Sequence, residues 1–191
     1  MKKRRAAAAR ATALKGRKIL VGVTGGIAAY KACELVSRLS QAGAEVRVVM
    51  TRAAREFVTP LSFRALARGP VFTEMFDAPP EFDPVHVSLA EWADAVVVAP
   101  ATANVIGKVA CGIADDLLTC TVMATKAPVL IAPAMNEAMW RAAAVRANVA
   151  ALKRRGFRIV GPDEGYLACG TEGPGRLTDT AQILESLERL V

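Results

Sequence analysis

Histidine is almost absent from this chain, since His86 is the only one among its 191 residues. The four cysteines, Cys33, Cys111, Cys120 and Cys169, include no C-x-x-C pair. One histidine without paired cysteines cannot supply a Cys/His zinc set, so we expect no metal site. The cysteine spacing also gives no sign of a disulfide framework, and reduced thiols favour a cytoplasmic location.

Long apolar runs are missing as well. No stretch reaches the roughly 18 apolar residues that a transmembrane helix requires. The N-terminal residues 6–9 (AAAA) are too short for the apolar core of a signal peptide. We therefore expect no membrane attachment. Only 5% of the residues are aromatic, and the abundant small aliphatic side chains suit helices packed on a hydrophobic sheet.

Acidic side chains are absent from residues 1–18, which hold eight lysines and arginines. Without those eight, 17 basic residues remain against 18 acidic ones, so the rest of the chain is nearly neutral. A neutral domain does not indicate nucleic-acid binding. We expect residues 1–17 to form a disordered basic tail and residues 18–191 to form a single folded domain.

Predicted strands and helices alternate along the chain. This alternation predicts an α/β fold, with one doubly wound parallel sheet in a Rossmann- or flavodoxin-like three-layer sandwich. Residues 71–85 have few periodic signals and are predicted as loop with one short strand at most. The predicted strands are residues 18–23, 45–50, 95–99, 128–132 and 158–160, and the predicted helices are residues 27–42, 60–67, 104–110, 115–125, 138–155 and 178–190.

A glycine-rich turn, residues 21–28 (VGVTGGIA), joins the first strand to the first helix. Backbone N–H groups at the start of that helix could hold a phosphate, although tight packing alone could also require these glycines. The second strand ends in residues 49–52 (VMTR), which include no carboxylate for a ribose hydroxyl. NAD is therefore disfavoured, and a mononucleotide such as FMN fits the pattern.

A second polar loop, residues 99–104 (APATAN), follows the apolar strand at residues 95–99. Thr102 could serve only to cap the next helix. The carboxyl ends of parallel strands lie at one edge of a sheet, where open α/β folds bind their ligands. A ligand shared by this loop and the glycine turn therefore explains both better than two separate roles.

An amide, a thiol and an imidazole that could take part in catalysis or substrate binding lie on loops next to predicted strands. Asn136 follows the strand at residues 128–132, and Cys169 lies in the glycine-rich residues 168–176 (ACGTEGPGR). His86 supplies an imidazole whose ordinary pKa lies near neutral pH. Each has a structural alternative, because a free cysteine is usually a small buried hydrophobe and a lone histidine can simply pack. That packing role is our prediction for the other three cysteines and for Met139 and Trp140.

These motifs together resemble the flavin-containing cysteine decarboxylases, and among them the phosphopantothenoylcysteine decarboxylases of coenzyme A biosynthesis. The resemblance runs from about residue 18 to the C-terminus, and its specificity comes from several motifs in order. They are residues 24–31 (TGGIAAYK), 86–94 (HVSLAEWAD), 99–104 (APATAN), 112–118 (GIADDLL), 133–140 (PAMNEAMW) and 168–170 (ACG).

The resemblance implies a role for each matching residue. His86 and Cys169 would be the catalytic pair. The substrate would be held by Ala134, Met135 and Asn136. FMN would lie against Gly25, Gly26, Ile27, Thr51, Phe57, Ala101, Thr102, Ala103 and Asn104.

The resemblance also implies the reaction and the partners. The substrate's CH2–SH group would be oxidised to a thioaldehyde, CO2 would leave to give an enethiol, and reduction would yield 4′-phosphopantetheine. Relatives form homotrimers with the flavin at the subunit interface, and some assemble trimers into dodecamers. Bacterial relatives often continue into the ligase that makes the substrate, so we expect a freestanding decarboxylase or a ligase on a separate chain. Glu91 stands where several relatives carry a basic residue, which leaves open how the substrate's charge is neutralised.

Three other functions share this pattern. A peptidyl-cysteine oxidative decarboxylase would release the enethiol without reducing it, and Cys169 argues for the reductive reaction. A flavin prenyltransferase would not require His86 together with the Asn136 and Cys169 loops. A regulatory flavin-binding subunit usually carries a long acidic extension, whereas the extension here is short and basic.

Overall fold

The computed structural model describes residues 13–76 and 84–191, and within them six parallel strands form a central sheet. Their spatial order is β3-β2-β1-β4-β5-β6. Two further strands, β7 (Asp163–Tyr166) and β8 (Glu172–Arg176), pair as a separate antiparallel hairpin. The sheet strands are β1 (Lys18–Val23), β2 (Glu45–Met50), β3 (Val71–Phe72), β4 (Ala95–Ala101), β5 (Val129–Pro133) and β6 (Arg158–Ile159).

Helices cover both faces of the six-stranded sheet. α1, α2 and α8 pack on one face, and α3, α4, α5 and α7 contribute to the core on the other. The helices are α1 (Ala29–Gln41), α2 (Pro60–Ala67), α3 (Val85–Trp92), α4 (Ala103–Cys111), α5 (Leu117–Ala124), α6 (Glu137–Arg141), α7 (Ala143–Arg154) and α8 (Thr180–Glu188). None of the helices in these described stretches is long and apolar enough to cross a bilayer.

The central strands β1, β4 and β5 are apolar because both of their faces are buried. Every residue of β4 is buried, and its side chains alternate between the two cores. Val97 enters the core beneath α1, whereas Val96 and Val98 enter the core beneath α4 and α5. Burial on both faces removes the polar alternation of a half-exposed strand. The predicted doubly wound three-layer sandwich is confirmed.

The strand order places the ligand-binding edge. From β1 the chain runs outward through β2 and β3, and it then returns to β4 on the other side of β1. The loops that follow β1 and β4 therefore diverge and leave a crevice between them, the usual ligand site of this architecture. Within the first half, Gly43 ends α1 with φ +83°, as expected for a glycine just after a helix.

Three predicted elements differ from the structure. The helix predicted over residues 138–155 is two helices, because Ala142 is extended (φ −55°, ψ 132°) between α6 and α7. The region around Pro84, predicted as loop, begins α3. The glycine-rich residues 168–176 were predicted as loop, but they contain β8 of the hairpin.

The predicted tail boundary is also too far along the chain. Leu14 is 1% exposed and packs in the core, and the Gly16 N–H donates to the Gly43 carbonyl at 2.8 Å. Residues 13–17 therefore belong to the folded domain. Residues 1–12, the rest of the predicted disordered tail, and residues 77–83 of the predicted loop lie outside the described residues.

Candidate active site

A cavity of about 1260 Å³ opens at the crevice between β1 and β4. It is lined by the loops after β1, β2, β4 and β5 and by the β7–β8 hairpin. Small-molecule sites are commonly up to about 1,000 Å³, so this cavity has room for a cofactor and a substrate together. The described residues contain no group of three or more His, Cys, Asp or Glu side chains placed to hold a metal ion.

The glycine turn approaches the chain that follows β2 very closely. A Cβ at position 25 would collide with the Cβ and backbone of Ala53. A Cβ at Gly26 would instead have its nearest contact with Thr102 Cγ2, at 3.6 Å across the crevice. Gly25 thus closes the turn, while Gly26 keeps open the space between the two loops beside the N-terminus of α1. This cradle fits a phosphate-bearing ligand.

We predict that these two glycines separate stability from cofactor binding. Gly25→Ala should lower the free energy of unfolding of the apoprotein by about 1–3 kcal/mol, because the added methyl overlaps Ala53. Gly26→Ala should leave that free energy within about 0.5 kcal/mol but weaken flavin binding, because its methyl projects into the cradle. Urea unfolding and flavin titration of both variants measure this. Equal flavin affinity in Gly26→Ala and the wild type would contradict it.

Thr24 joins the two loops that border the crevice. Its side chain is fully buried, and its hydroxyl donates to the Pro100 carbonyl at 2.6 Å. The same oxygen accepts the Thr102 N–H at 3.1 Å. The glycine turn and the start of α4 are therefore held in a fixed relation. Thr24 was not among the predicted site residues, although a hydroxyl at the end of a buried strand requires partners of this kind.

The chain after β2 contributes Thr51 to the cavity. Its hydroxyl oxygen accepts the Ala54 N–H at 3.3 Å and so caps the short 3-10 helix Arg52–Glu56. No carboxylate stands at the end of β2, because Thr51 is followed by Arg52. The strand end thus offers no carboxylate to a ribose, which agrees with a mononucleotide; the carboxylate of Glu56, four residues beyond Arg52, lines the cavity further along the chain.

Asn136 and Cys169 come together at the opposite side of the cavity. The Asn136 amide nitrogen lies 3.3 Å from Cys169 Sγ, and its oxygen accepts the Ala138 N–H at 2.8 Å, which caps α6. Thr171 Oγ1 lies 3.2 Å from the same sulfur. The pKa of Cys169 is lowered, first by the Thr171 hydroxyl and then by the Asn136 amide, since both stabilise a thiolate.

The hairpin that carries Cys169 is docked on the loop after β5. The Met135 N–H donates to the Gly175 carbonyl at 3.0 Å. A Cβ at Gly175 would collide with the Met135 carbonyl oxygen, so only glycine permits this approach. Gly173 gives similar room to the carboxylate of Glu137. These glycines explain why residues 168–176 resemble a loop in sequence yet form a strand.

We predict a distinctive pH dependence for alkylation of Cys169. Its lowered pKa gives it more thiolate near neutral pH than Cys33 or Cys120, whose pKa values are raised chiefly by burial. Iodoacetamide labelling followed by peptide mass analysis should place the Cys169 profile at lower pH than the other two. Thr171→Val should move that profile towards higher pH. A Cys169 profile above that of Cys33 would contradict the prediction.

An ion cluster borders the cavity near α4. Lys108 Nζ lies 2.7 Å from an Asp115 carboxylate oxygen and 3.4 Å from one of Asp116. The pKa of Lys108 is raised, primarily by its hydrogen bond to Asp115, and the same bond lowers the pKa of Asp115. The cluster ties the loop before α5 to α4. Asp115 and Asp116 belong to the 112–118 motif, whereas Lys108 belongs to no motif, and none of the three was predicted to lie at the cavity. The spacing of four from Asn104 to Lys108 on one helix face was the available signal.

The structure brings together most, but not all, of the predicted site residues. Ala101 is fully buried at the end of β4, Phe57 is 47% exposed, and neither lines the cavity. His86 also lies away from it, on α3, with Nδ1 buried and without a hydrogen-bond partner in the described chain. The predicted residues that do line the cavity are Gly25, Gly26, Ile27, Thr51, Thr102, Ala103, Asn104, Ala134, Met135, Asn136 and Cys169.

Curated relatives match most of this chain. The coenzyme A biosynthesis bifunctional protein CoaBC of Vibrio vulnificus (strain YJ016) is 49% identical over 176 residues, which are 92% of this chain and 44% of that protein. The protein of the same name from Bacillus subtilis (strain 168) is 51% identical over 176 residues, 92% of this chain and 43% of its own length. The chain therefore spans less than half the length of these relatives.

Solved structures share the fold. The FMN-dependent cysteine decarboxylase SpaF is 38% identical with a TM-score of 0.81, covering 94% of this chain and 97% of its own. A cysteine-to-serine mutant of PPC decarboxylase, complexed with pantothenoylaminoethenethiol, is 29% identical with a TM-score of 0.83, covering 92% and 98%. A family model described as Flavoprotein matches residues 7–191. Matched over nearly its whole length, the chain belongs to the flavoprotein family, and a flavin is its cofactor.

Proposed function

We propose that this protein decarboxylates 4′-phosphopantothenoyl-L-cysteine to 4′-phosphopantetheine, with FMN, in coenzyme A biosynthesis. The observation that carries the proposal is the contact between the Asn136 amide and the Cys169 thiol beside a nucleotide-sized crevice. The names of the curated relatives and of the PPC decarboxylase structure support the same reaction.

The cradle at the crevice fits FMN in its residues. Gly25, Gly26 and Ile27 would hold the phosphate end at the N-terminus of α1, with Thr51 and residues 102–104 beside it. When bound, FMN would supply hydride acceptance from the thiol-bearing carbon and return of that hydride. Thr24 keeps the two sides of the cradle at a fixed separation.

Asn136 and Cys169 would act on the substrate. The neutral amide of Asn136 can donate to the carboxylate without strongly stabilising a charge that must disappear as CO2 leaves. The Cys169 thiol would give its proton to the enethiolate carbon, and the partners that lower its pKa bring it closer to the working pH of a general acid. Because Cys169 can supply the proton that reduction of the enethiol needs, we favour the reductive pantothenoyl reaction over the oxidative decarboxylation of a peptidyl cysteine.

His86 would complete the site from a neighbouring subunit of a homotrimer. It does not line the cavity of its own chain. Exposed apolar side chains surround that cavity: Ile27 and Tyr30 are each 58% exposed, and Tyr166 is 69% exposed. A second copy covering them would bury this surface. Assembly of trimers into a dodecamer, a cytoplasmic location, and a ligase that joins cysteine to phosphopantothenate belong to the same proposal.

One assay tests the proposed function. The purified protein should be yellow, and with 4′-phosphopantothenoyl-L-cysteine it should form a product lighter by one CO2. Cys111→Ser is a matched control, because Cys111 is an exposed thiol that does not line the cavity. A colourless protein that FMN does not reconstitute, or an unchanged substrate mass, would refute the proposal.

A further inference from the structure

Arg176, the last residue of β8, lines the cavity that Asn136 and Cys169 also line. Its Nε is buried and has no hydrogen-bond partner among the residues that the structure describes. Its Nη2 lies 3.9 Å from an Asp179 carboxylate oxygen, beyond hydrogen-bond distance. A guanidinium is always charged and offers five N–H donors, so this side chain is equipped for an anion.

The hairpin directs this side chain. A Cβ at Gly165, on the facing strand, would come within 3.3 Å of Arg176 Nε and 3.4 Å of its Cδ and Cζ. The arginine therefore lies across Gly165, on the same hairpin that carries Cys169 at its tip. Because Gly165 pairs with Gly173, the guanidinium lies between the backbone of Arg176 and the tip of the hairpin.

The other cations that line the cavity are placed differently. Lys108 is engaged by Asp115 and Asp116. Lys31 lies on α1 and Arg52 follows β2, so both belong to the side of the cavity where the glycine turn lies. In the described part of the cavity wall, Arg176 is thus the cation that the substrate-side hairpin carries.

The substrate of the proposed function has two anionic groups, and only one suits Arg176. A guanidinium on the carboxylate would stabilise the charge that disappears in the decarboxylation and so would raise the barrier. Asn136 already offers a neutral donor beside Cys169. A phosphate keeps its charge throughout, and its oxygens match the fork of donors. We propose that Arg176 binds the terminal phosphate and sets the preference for the phosphorylated substrate; this rests on the proposed function.

The test compares Arg176→Gln with the wild type on 4′-phosphopantothenoylcysteine and on pantothenoylcysteine. The variant should raise KM for the phosphorylated substrate about 10- to 100-fold, as expected for the loss of charge-assisted hydrogen bonds. Its kcat should change little, and its KM for the unphosphorylated substrate should stay the same. Arg176→Lys should recover part of the preference. Arg154→Gln, on the exposed face of α7, is the matched control and should match the wild type.

A binding measurement gives a second readout. Equilibrium dialysis should show Arg176→Gln losing affinity for phosphopantetheine but not for pantetheine, with unchanged flavin content and thermal unfolding. An equal loss of kcat on both substrates would assign Arg176 to the carboxylate, and a loss of flavin would assign it to the cofactor; either result overturns the proposal. A wild-type protein inactive on both substrates would instead overturn the proposed function.

Discussion

Cys169→Ser is expected to release CO2 yet to yield at least about 100-fold less 4′-phosphopantetheine than the wild type, because a serine hydroxyl is a far weaker acid than this thiol. The partners Thr171 and Asn136 lower the pKa of Cys169, which makes its proton easier to donate. The product should be the enethiol, lighter than phosphopantetheine by two hydrogens, with flavin absorbance that stays bleached. Mass spectrometry and visible absorbance measure both.

Cys111→Ser controls for loss of a thiol in general. The solved cysteine-to-serine mutant of PPC decarboxylase with pantothenoylaminoethenethiol is an example of an enethiol held by a related protein. A normal phosphopantetheine yield from Cys169→Ser would remove this cysteine from the role of acid. Full loss of CO2 release would place Cys169 at an earlier step.

His86→Asn is expected to retain bound flavin while kcat falls by about 100-fold or more, the usual range for removing an acid or base. Asparagine is close in shape to the imidazole but does not titrate near neutral pH. The Nδ1 atom of His86 has no hydrogen-bond partner in the described chain, so a structural hydrogen bond within one subunit does not account for a histidine at this position. Turnover and flavin content of the purified variant measure the effect.

Mixing the two variants, neither of which should form phosphopantetheine efficiently, tests where His86 acts. Co-expressed His86→Asn and Cys169→Ser chains should regain phosphopantetheine formation if His86 serves the cavity of a neighbour, because hybrid trimers then contain complete sites. Each variant purified separately should still form little phosphopantetheine. If co-expression restores nothing while hybrids form, His86 does not act across an interface.

The sequence predicts the central sheet well because parallel strands buried on both faces are apolar runs. The run at residues 95–99 contains no polar side chain and is stable only in the protein interior, and it lies in β4, all of whose residues are buried. Boundaries set by a single backbone angle are harder to foresee. Ala142 breaks a continuous helical pattern although neither a proline nor a glycine stands there, so no residue type in the sequence marks the break.

The sequence predicted which loops form the site, but not which of their side chains contact one another. Asn136 and Cys169 could be placed on substrate loops, but their contact depends on the hairpin, and the hairpin depends on close approaches at Gly173 and Gly175. Arg176 was missed because nothing in its spacing marks it as lining a cavity. The sequence also did not show that His86 lies outside the cavity of its own chain, because that depends on where α3 packs on the sheet.

The β7–β8 hairpin has its own two-stranded ladder, and it joins the rest of the molecule through a few close contacts such as that between Met135 and Gly175. Residues of the hairpin can consequently vary without disturbing the strands that border the crevice. In evolutionary terms the protein is modular, because related enzymes with different substrates could keep the same central sheet while their hairpins differ.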